Sequence, residues 1–311
     1  MSENAENKKP KRPFPVTEKP KVVALGGGHG LAQTLTALKE YAGKITAIVS
    51  VADNGGSSKV FRDELNMPAI GDMRRCLLAL ADENDSLTQT MSYRFTEGRF
   101  LDHPVGNFVL AGLYQITNSL EAASKEFACS LNLLGNVLPA CNGNVTLAAI
   151  TKSGAEVRGQ IEITGRSDIA RVKLIGADVK APEAAISSIA EADQIIIGPG
   201  SLYTSLLAAL LADGIREAFN ASPGQKIYIA NLHTQNNETR GYSVADHLEA
   251  LSLHGFECEI LLLPPDHHIE HGVIPPHVRS ITSDLADKDG LVHAPFLLAQ
   301  ALEQIWRESL S

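Results

Sequence analysis

The chain has 311 residues, 44% of them hydrophobic and 20% charged, with a formal net charge of -9. That length and apolar content suit a large α/β domain with a substantial core, and the acidity argues against a nucleic-acid or membrane-surface binder. No apolar run reaches the roughly 20 residues that a bilayer-spanning helix needs, so no membrane insertion is expected. The scattered Cys76, Cys129, Cys141 and Cys258 form no CxxC pair and read as reduced thiols of a cytoplasmic protein.

Residues 1–20 are rich in Lys, Pro, Asn and Glu and read as a disordered tail, leaving 21–311 as a single domain. The domain opens with the apolar run Val22 to Leu25, which breaks into Gly26-Gly27-Gly28-His29-Gly30 and passes at once into a helix-forming segment, Leu31 to Tyr41. Strand, glycine turn and helix in that order build an anion site from backbone alone. The first helical amides lack intrahelical partners, carry the positive end of the dipole, and meet no Cβ on the way to a phosphate. The spacing is not the dinucleotide fingerprint, because Leu31 stands where its last glycine would fall. A turn built only for tight packing is the alternative.

Ile45 to Ala52 is continuously apolar and β-branched, as suits a parallel strand covered on both faces. Asp53-Asn54-Gly55-Gly56-Ser57-Ser58 follows it. Asp53 lies where such folds place a carboxylate against a ribose hydroxyl, and it equally suits Mg²⁺; the segment is also a turn former. Gly71-Asp72-Met73-Arg74-Arg75 starts a helix through Ala81, with Asp72 at an N-cap position; either one arginine reaches a phosphate while the other packs at the surface, or the two are a solvated pair. His103-Pro104-Val105-Gly106-Asn107 precedes a helix over Phe108 to Thr117, where Asn107 either reads a base or sugar or simply starts the helix. Leu120 to Leu131 is helical by pattern.

From Val145 to Thr164 the texture alternates, predicting an inserted antiparallel hairpin around Ser153-Gly154. Parallel texture returns with a helix over Ala184 to Ala190 and a strand over Gln194 to Ile197. Gly198-Pro199-Gly200-Ser201 then repeats the opening logic ahead of a helix over Leu202 to Ala212. After a strand over Lys226 to Asn231, the segment from Asn231 through Thr234 to Arg240 is dense in hydrogen-bonding side chains and suits a hydroxyl-rich ligand. A helix over Val244 to His254, a strand over Glu259 to Leu263 and a last helix over His293 to Ser309 complete the pattern. The fold class is α/β: a Rossmann-like, mostly parallel, doubly wound sheet with helices on both faces. Asp266, His267, His268 and His271 lack a further ligand at zinc-site spacing, and no G-x-S-x-G nucleophile elbow is present.

Taken together, Gly26-Gly-Gly-His-Gly-Leu31, Val51-Ala-Asp-Asn-Gly-Gly-Ser-Ser58, Gly71-Asp-Met-Arg74, His103-Pro-Val-Gly-Asn107 and Gly198-Pro-Gly-Ser-Leu-Tyr203 occur in order, extended by Asn231-Leu-His-Thr-Gln235. This set resembles the gluconeogenesis-factor (YvcK-like) branch of the 2-phospho-L-lactate transferase (CofD-like) superfamily. The resemblance implies a cytoplasmic protein needed for growth on gluconeogenic carbon sources and for cell shape, which binds UDP-sugars such as UDP-N-acetylglucosamine. The transferase branch instead moves a phospholactyl group from a guanosine diphosphate carrier, using Mg²⁺. His29 departs from a usual threonine, Asn54 from the second of two aspartates and Lys59 from a glycine. Loss of a carboxylate and gain of a cation favour anion binding over metal-assisted transfer.

The expected site comprises Gly26, Gly27, Gly28, His29, Gly30, Asp53, Asn54, Gly55, Ser57, Ser58, Asp72, Arg74, Asn107, Gly198, Gly200, Ser201, Asn231 and Thr234. Asp53 and Asp72 are the candidate Mg²⁺ ligands, and no other cofactor and no catalytic residue is assigned. The expected partners are a nucleotide diphosphate sugar and an unidentified protein of cell-envelope synthesis, with a homo-oligomer left open. The competing readings are a Mg²⁺-dependent phospho-group transferase and, more distantly, a nicotinamide oxidoreductase.

Overall fold

Ten strands and twelve α-helices are described in a computed structural model covering residues 19–235, 238–265 and 269–310, with the side chains of 56–58 outside the description. The first half runs β1 (Lys21–Gly26), α1 (Gly28–Tyr41), β2 (Lys44–Val49), α2 (Gly56–Leu65), α3 (Gly71–Leu80), α4 (Ser86–Ser92), α5 (Val105–Thr117), α6 (Leu120–Ser130) and β3 (Asn136–Pro139). A small unit follows: β4 (Thr146–Thr151), β5 (Glu156–Arg158), α7 (Gln160–Thr164) and β6 (Ile169–Ile175). The second half is α8 (Glu183–Glu191), β7 (Gln194–Ile197), a π-helical turn (Leu202–Leu207) running into α9 (Ala208–Leu210), α10 (Ile215–Ala221), β8 (Gln225–Ile229), α11 (Val244–Leu253), β9 (Ile260–Leu263), β10 (Arg279–Thr282) and α12 (Pro295–Glu308).

The main sheet has the order β10-β9-β8-β7-β1-β2-β3, with every neighbouring pair parallel. Strands of such a sheet have no solvated face, which is why Val22-Val-Ala-Leu25 and Ile195-Ile-Ile197 are apolar without alternation and fully buried. Helix α1 packs against α3 and α12, and α8 packs against α10, giving a layer of helices on each face. The chain builds outward from β1 through β2 to β3, then returns to the other side of β1 and builds through β7 to β10. The switch point therefore lies between β1 and β7, and both glycine turns sit at the carboxyl ends of those two strands.

The expected inserted hairpin is a three-stranded antiparallel sheet of order β5-β4-β6, separate from the main sheet. Its second strand was expected to run on to Thr164, but it stops at Arg158. Gly159 adopts φ +102, a conformation that turns the chain into α7 instead. The third strand, β6, carries outward Arg171 and Lys173 beside inward Val172, an alternation readable in sequence. Strand β2 leaves the ladder at Val49, three residues before the expected end, although Ser50 to Ala52 stay buried and Ser50 N–H still donates to the Gly26 carbonyl. Residues 1–18 of the expected tail lie outside the described residues. Among the described residues no helix is long and apolar enough to cross a membrane.

Candidate functional site

The two glycine turns touch. Gly26 ends β1 at φ +155, Gly27 is the N-cap of α1, and Gly28 at φ +67 is its first residue. Gly198 (φ +89) and Gly200 (φ +153) flank Pro199 after β7. A Cβ on Gly30 would stand 2.2 Å from the Pro199 carbonyl oxygen, so the glycine lets one turn lie against the backbone of the other. Gly30 thus serves the packing of the two turns. At Gly28 the surroundings are the reverse: nothing lies within 4 Å of where a Cβ would be.

Each turn is held by a side chain from a distant element. Asp72 was expected to cap its own helix, but the N-cap of α3 is Ile70 and Asp72 lies in the first turn. Its carboxylate reaches α1 instead: Oδ2 accepts from Gly28 N–H at 2.7 Å, while Oδ1 accepts from Arg75 Nη1. Asn231 was expected to read a ligand, yet its side-chain amide pairs with the backbone of Gly200, Oδ1 accepting from the N–H at 2.9 Å and Nδ2 donating to the carbonyl at 3.0 Å. The helix expected over Leu202 to Ala212 begins with the π turn, in which Leu206 N–H bonds to the Ser201 carbonyl. Ser201 Oγ accepts from Gln235 Nε2 at 3.4 Å, and buried Glu238 accepts from the amides of Tyr203 (2.9 Å) and Thr204 (3.4 Å). Burial pushes the Glu238 carboxyl above the usual carboxylate range.

The arginine pair resolves unexpectedly. Arg74 is only 6% exposed, its Nε has no hydrogen-bond partner, and it makes no ion pair among the described residues. Its stem lies on α5, where a Cβ at Gly106 would meet Arg74 Cδ at 3.0 Å and Cγ at 3.1 Å. Burial, then repulsion from Arg75 and Arg94, lowers the Arg74 pKa to about 10, which still leaves it charged at neutral pH. Arg75, beside it, is the member paired with Asp72. His29 feels the same field: the Arg75 guanidinium first, then partial burial, hold its imidazole below the usual value. Three cations and the start of α1 therefore converge on one place, countered there by Asp72 and by the exposed Asp102 that pairs with Arg94. Arg74 is thus a buried guanidinium whose charged neighbours include two further cations, Arg75 and Arg94, along with Asp72. Arg75 and Arg94 were absent from the expected site. The signal for Arg75 was its place next to Arg74, whereas Arg94 lies in no recognisable motif.

Beyond His29, toward β8, a cavity of about 290 Å³ is lined by His29, Gln33, Asn231, His233, Thr234 and His293, among others. Thr234, one of the expected residues, lies in the wall of this cavity. A larger cavity, about 690 Å³, lies near the amino ends of β2 and β3 and is lined by Lys44, Lys125, Cys129, Asn136 and Glu191. The smaller one is at the strand carboxyl ends and adjoins the cation cluster, and it is the better candidate for that reason.

Asp53 and Asn54 have structural partners. Asp53 Oδ1 accepts from Gly55 N–H at 2.8 Å, closing a local turn. Asn54 ties that turn to the inserted unit, its Oδ1 accepting from Ile161 N–H at 3.1 Å. Asn107 is buried inside α5, whose N-cap is Pro104, so it does not start the helix. The side chains of Ser57 and Ser58 lie outside the described residues, as do Asp266, His267 and His268; His271 bonds through Nε2 to the Pro264 carbonyl at 2.9 Å. Among the described residues no group of three or more His, Cys, Asp or Glu side chains is placed to hold a metal ion.

The family profile described as 2-phospho-L-lactate transferase CofD matches residues 22–288. The chain belongs to the CofD family. Within it, the chain is 42% identical over 254 residues to a gluconeogenesis factor of Bacillus subtilis (strain 168), covering 80% of each. It is 38% identical over 306 residues to a gluconeogenesis factor of Listeria innocua, covering 91% of this chain and 95% of that one. A crystal structure of a UPF0052-family member from Bacillus halodurans superposes with a TM-score of 0.85 at 35% identity, covering 92% of this chain and all of the other. This CofD-family chain is therefore similar along nearly its whole described length to gluconeogenesis factors.

Proposed function

We propose that this CofD-family protein binds a nucleotide diphosphate sugar and acts as a regulatory, gluconeogenesis-factor-like protein of the cytoplasm. In this reading it couples carbon metabolism to envelope synthesis and cell shape through a protein partner. One observation carries the binding claim: Arg74 is a buried cation with no anionic partner among the described residues. Leaving a buried charge uncompensated is costly, and a diphosphate would supply both the charge and the acceptors. The cavity beside His29, with Thr234 and His233 in its wall, is of a size and polarity suited to a sugar or ribose.

The test is titration calorimetry of UDP-N-acetylglucosamine against wild type and Arg74→Gln, with and without Mg²⁺. Binding at millimolar concentration or tighter, independent of metal and weakened about tenfold or more in the variant, is expected. No heat with wild type, or equal binding by the variant, sinks the reading.

A second reading has its own support in the family profile, which is that of a transferase. A Mg²⁺-dependent transfer of a phospho-group from a nucleotide diphosphate donor works by positioning and charge stabilisation and needs no conspicuous nucleophile. Binding only with Mg²⁺, together with donor turnover that disappears in Asp53→Ala, selects it.

A further inference from the structure

At the start of α1, where the sequence predicts an anion site, a side chain of this chain already accepts from the Gly28 amide. Both Asp72 oxygens are engaged, Oδ2 by the Gly28 amide and Oδ1 by Arg75. The pair is largely shielded, with 16% of the Asp72 and 23% of the Arg75 side chain exposed. An amide has a single hydrogen and can serve one strong acceptor at a time. A phosphate brought to Gly28 with Asp72 in place would meet a like charge and an amide already used. Two further observations bear on whether an added anion fits beside this pair. The position above Gly28 is open for 4 Å, and Arg74, two residues along α3 from Asp72 and packed against α5, is more than nine-tenths buried with an unpartnered Nε. Asp72, Arg74 and Arg75 together carry a net positive charge even with Asp72 ionised.

We propose that the Gly28 amide and the Arg75 guanidinium form a phosphate subsite held by Asp72, and that a ligand phosphate displaces the Asp72 carboxylate from Gly28 and takes over Arg75. A dianionic phosphate outcompetes a carboxylate there because Arg74 adds a cation that Asp72 does not neutralise. Arg75 is then a ligand-binding residue and Asp72 the competitor that sets the affinity threshold. This rests on the nucleotide-diphosphate reading above.

The probes are inorganic pyrophosphate and UDP, titrated without metal and with Mg²⁺ against wild type, Asp72→Asn and Arg75→Gln. The amide introduced by Asp72→Asn is isosteric with the carboxylate and still accepts weakly from Gly28, so the expected result is binding of both probes about tenfold tighter than wild type. Arg75→Gln is expected to bind about tenfold more weakly. Unchanged or weaker binding by Asp72→Asn overturns the proposal, and loss confined to Mg²⁺ conditions would make Asp72 a metal ligand instead. Should either variant fail to fold, a crystal structure of wild type with pyrophosphate decides. Phosphate oxygen on Gly28 N with Asp72 turned away supports the exchange, and Asp72 still on Gly28 refutes it. Wild type that binds neither probe overturns the nucleotide reading and this proposal together. Wild type that binds while Asp72→Asn gains nothing overturns this proposal alone.

Discussion

Replacing Gly30 by alanine separates two opposite physical effects. Gly30 lies inside α1, where glycine is a poor helix former, and it has no left-handed backbone to protect. On propensity alone, alanine would stabilise the helix by up to about 1 kcal/mol. The added methyl, however, would sit 2.2 Å from the Pro199 oxygen and 2.8 Å from its carbonyl carbon, and both are backbone atoms of the other glycine turn. A tolerable contact begins at 3.0 Å, so the turns must part by about 0.8 Å. Overpacking of that kind costs about 1–3 kcal/mol, which outweighs the propensity gain. Net of that gain, the melting temperature of a domain this size falls by up to roughly 6 °C. Gly112 is the control: it too lies within a helix, α5, but it is exposed and has nothing within 4 Å of a Cβ. Gly112→Ala should raise stability by about 0.5–1 kcal/mol. Thermal and urea unfolding of both variants, with UDP-N-acetylglucosamine titration of Gly30→Ala, give the measurement. A Gly30→Ala protein as stable as Gly112→Ala would refute the claim that the two turns are in backbone contact.

Buried titratable groups give two pH-dependent predictions. Burial lowers the pKa of both His247 and His293 to about 4, so the unfolded chain, titrating near 6.5, takes up their protons first. Stability should therefore be lost as pH falls from about 6.5 to about 4, by up to about 3 kcal/mol per imidazole. His293→Gln should flatten a urea-unfolding profile across that window, and a slope identical to wild type would contradict it. Glu238 acts in the opposite sense, because its carboxyl is held above the ordinary value in the folded protein. Its contribution is present at low pH and is lost as pH rises through the folded pKa. Glu238→Gln keeps an acceptor for Tyr203 and should be more stable than wild type at pH 7, with no advantage at pH 4. A less stable variant at pH 7 would mean that the carboxylate's charge at the helix start outweighs its burial.

Much of the fold was legible because it is written in local pattern. Val22 to Leu25 and Gln194 to Ile197 are continuous apolar runs that break into glycines, and period and punctuation alone place a strand, a turn and a helix there. The capping box of α11 at Ser243 and Asp246 and the proline start of α12 mark helix ends in the same local way. Strands β3 and β10 went unread, since Asn136–Pro139 and Arg279–Thr282 are four residues long and carry too few side chains to show a period.

The sequence by itself determined the family, the parallel sheet and the two glycine turns at its carboxyl edge, because each depends on residues adjacent in the chain. Only the tertiary structure decided what those turns do. Gly28 meets Asp72 across 44 residues and Gly200 meets Asn231 across 31, partners chosen by strand order and not by spacing. The same packing buried Arg74 against Gly106 and left Arg75 to Asp72, though the two arginines are neighbours and chemically identical in sequence. Burial is a property of the whole assembly. A charge becomes an anion site only when surrounding elements remove its water and leave it without an internal partner.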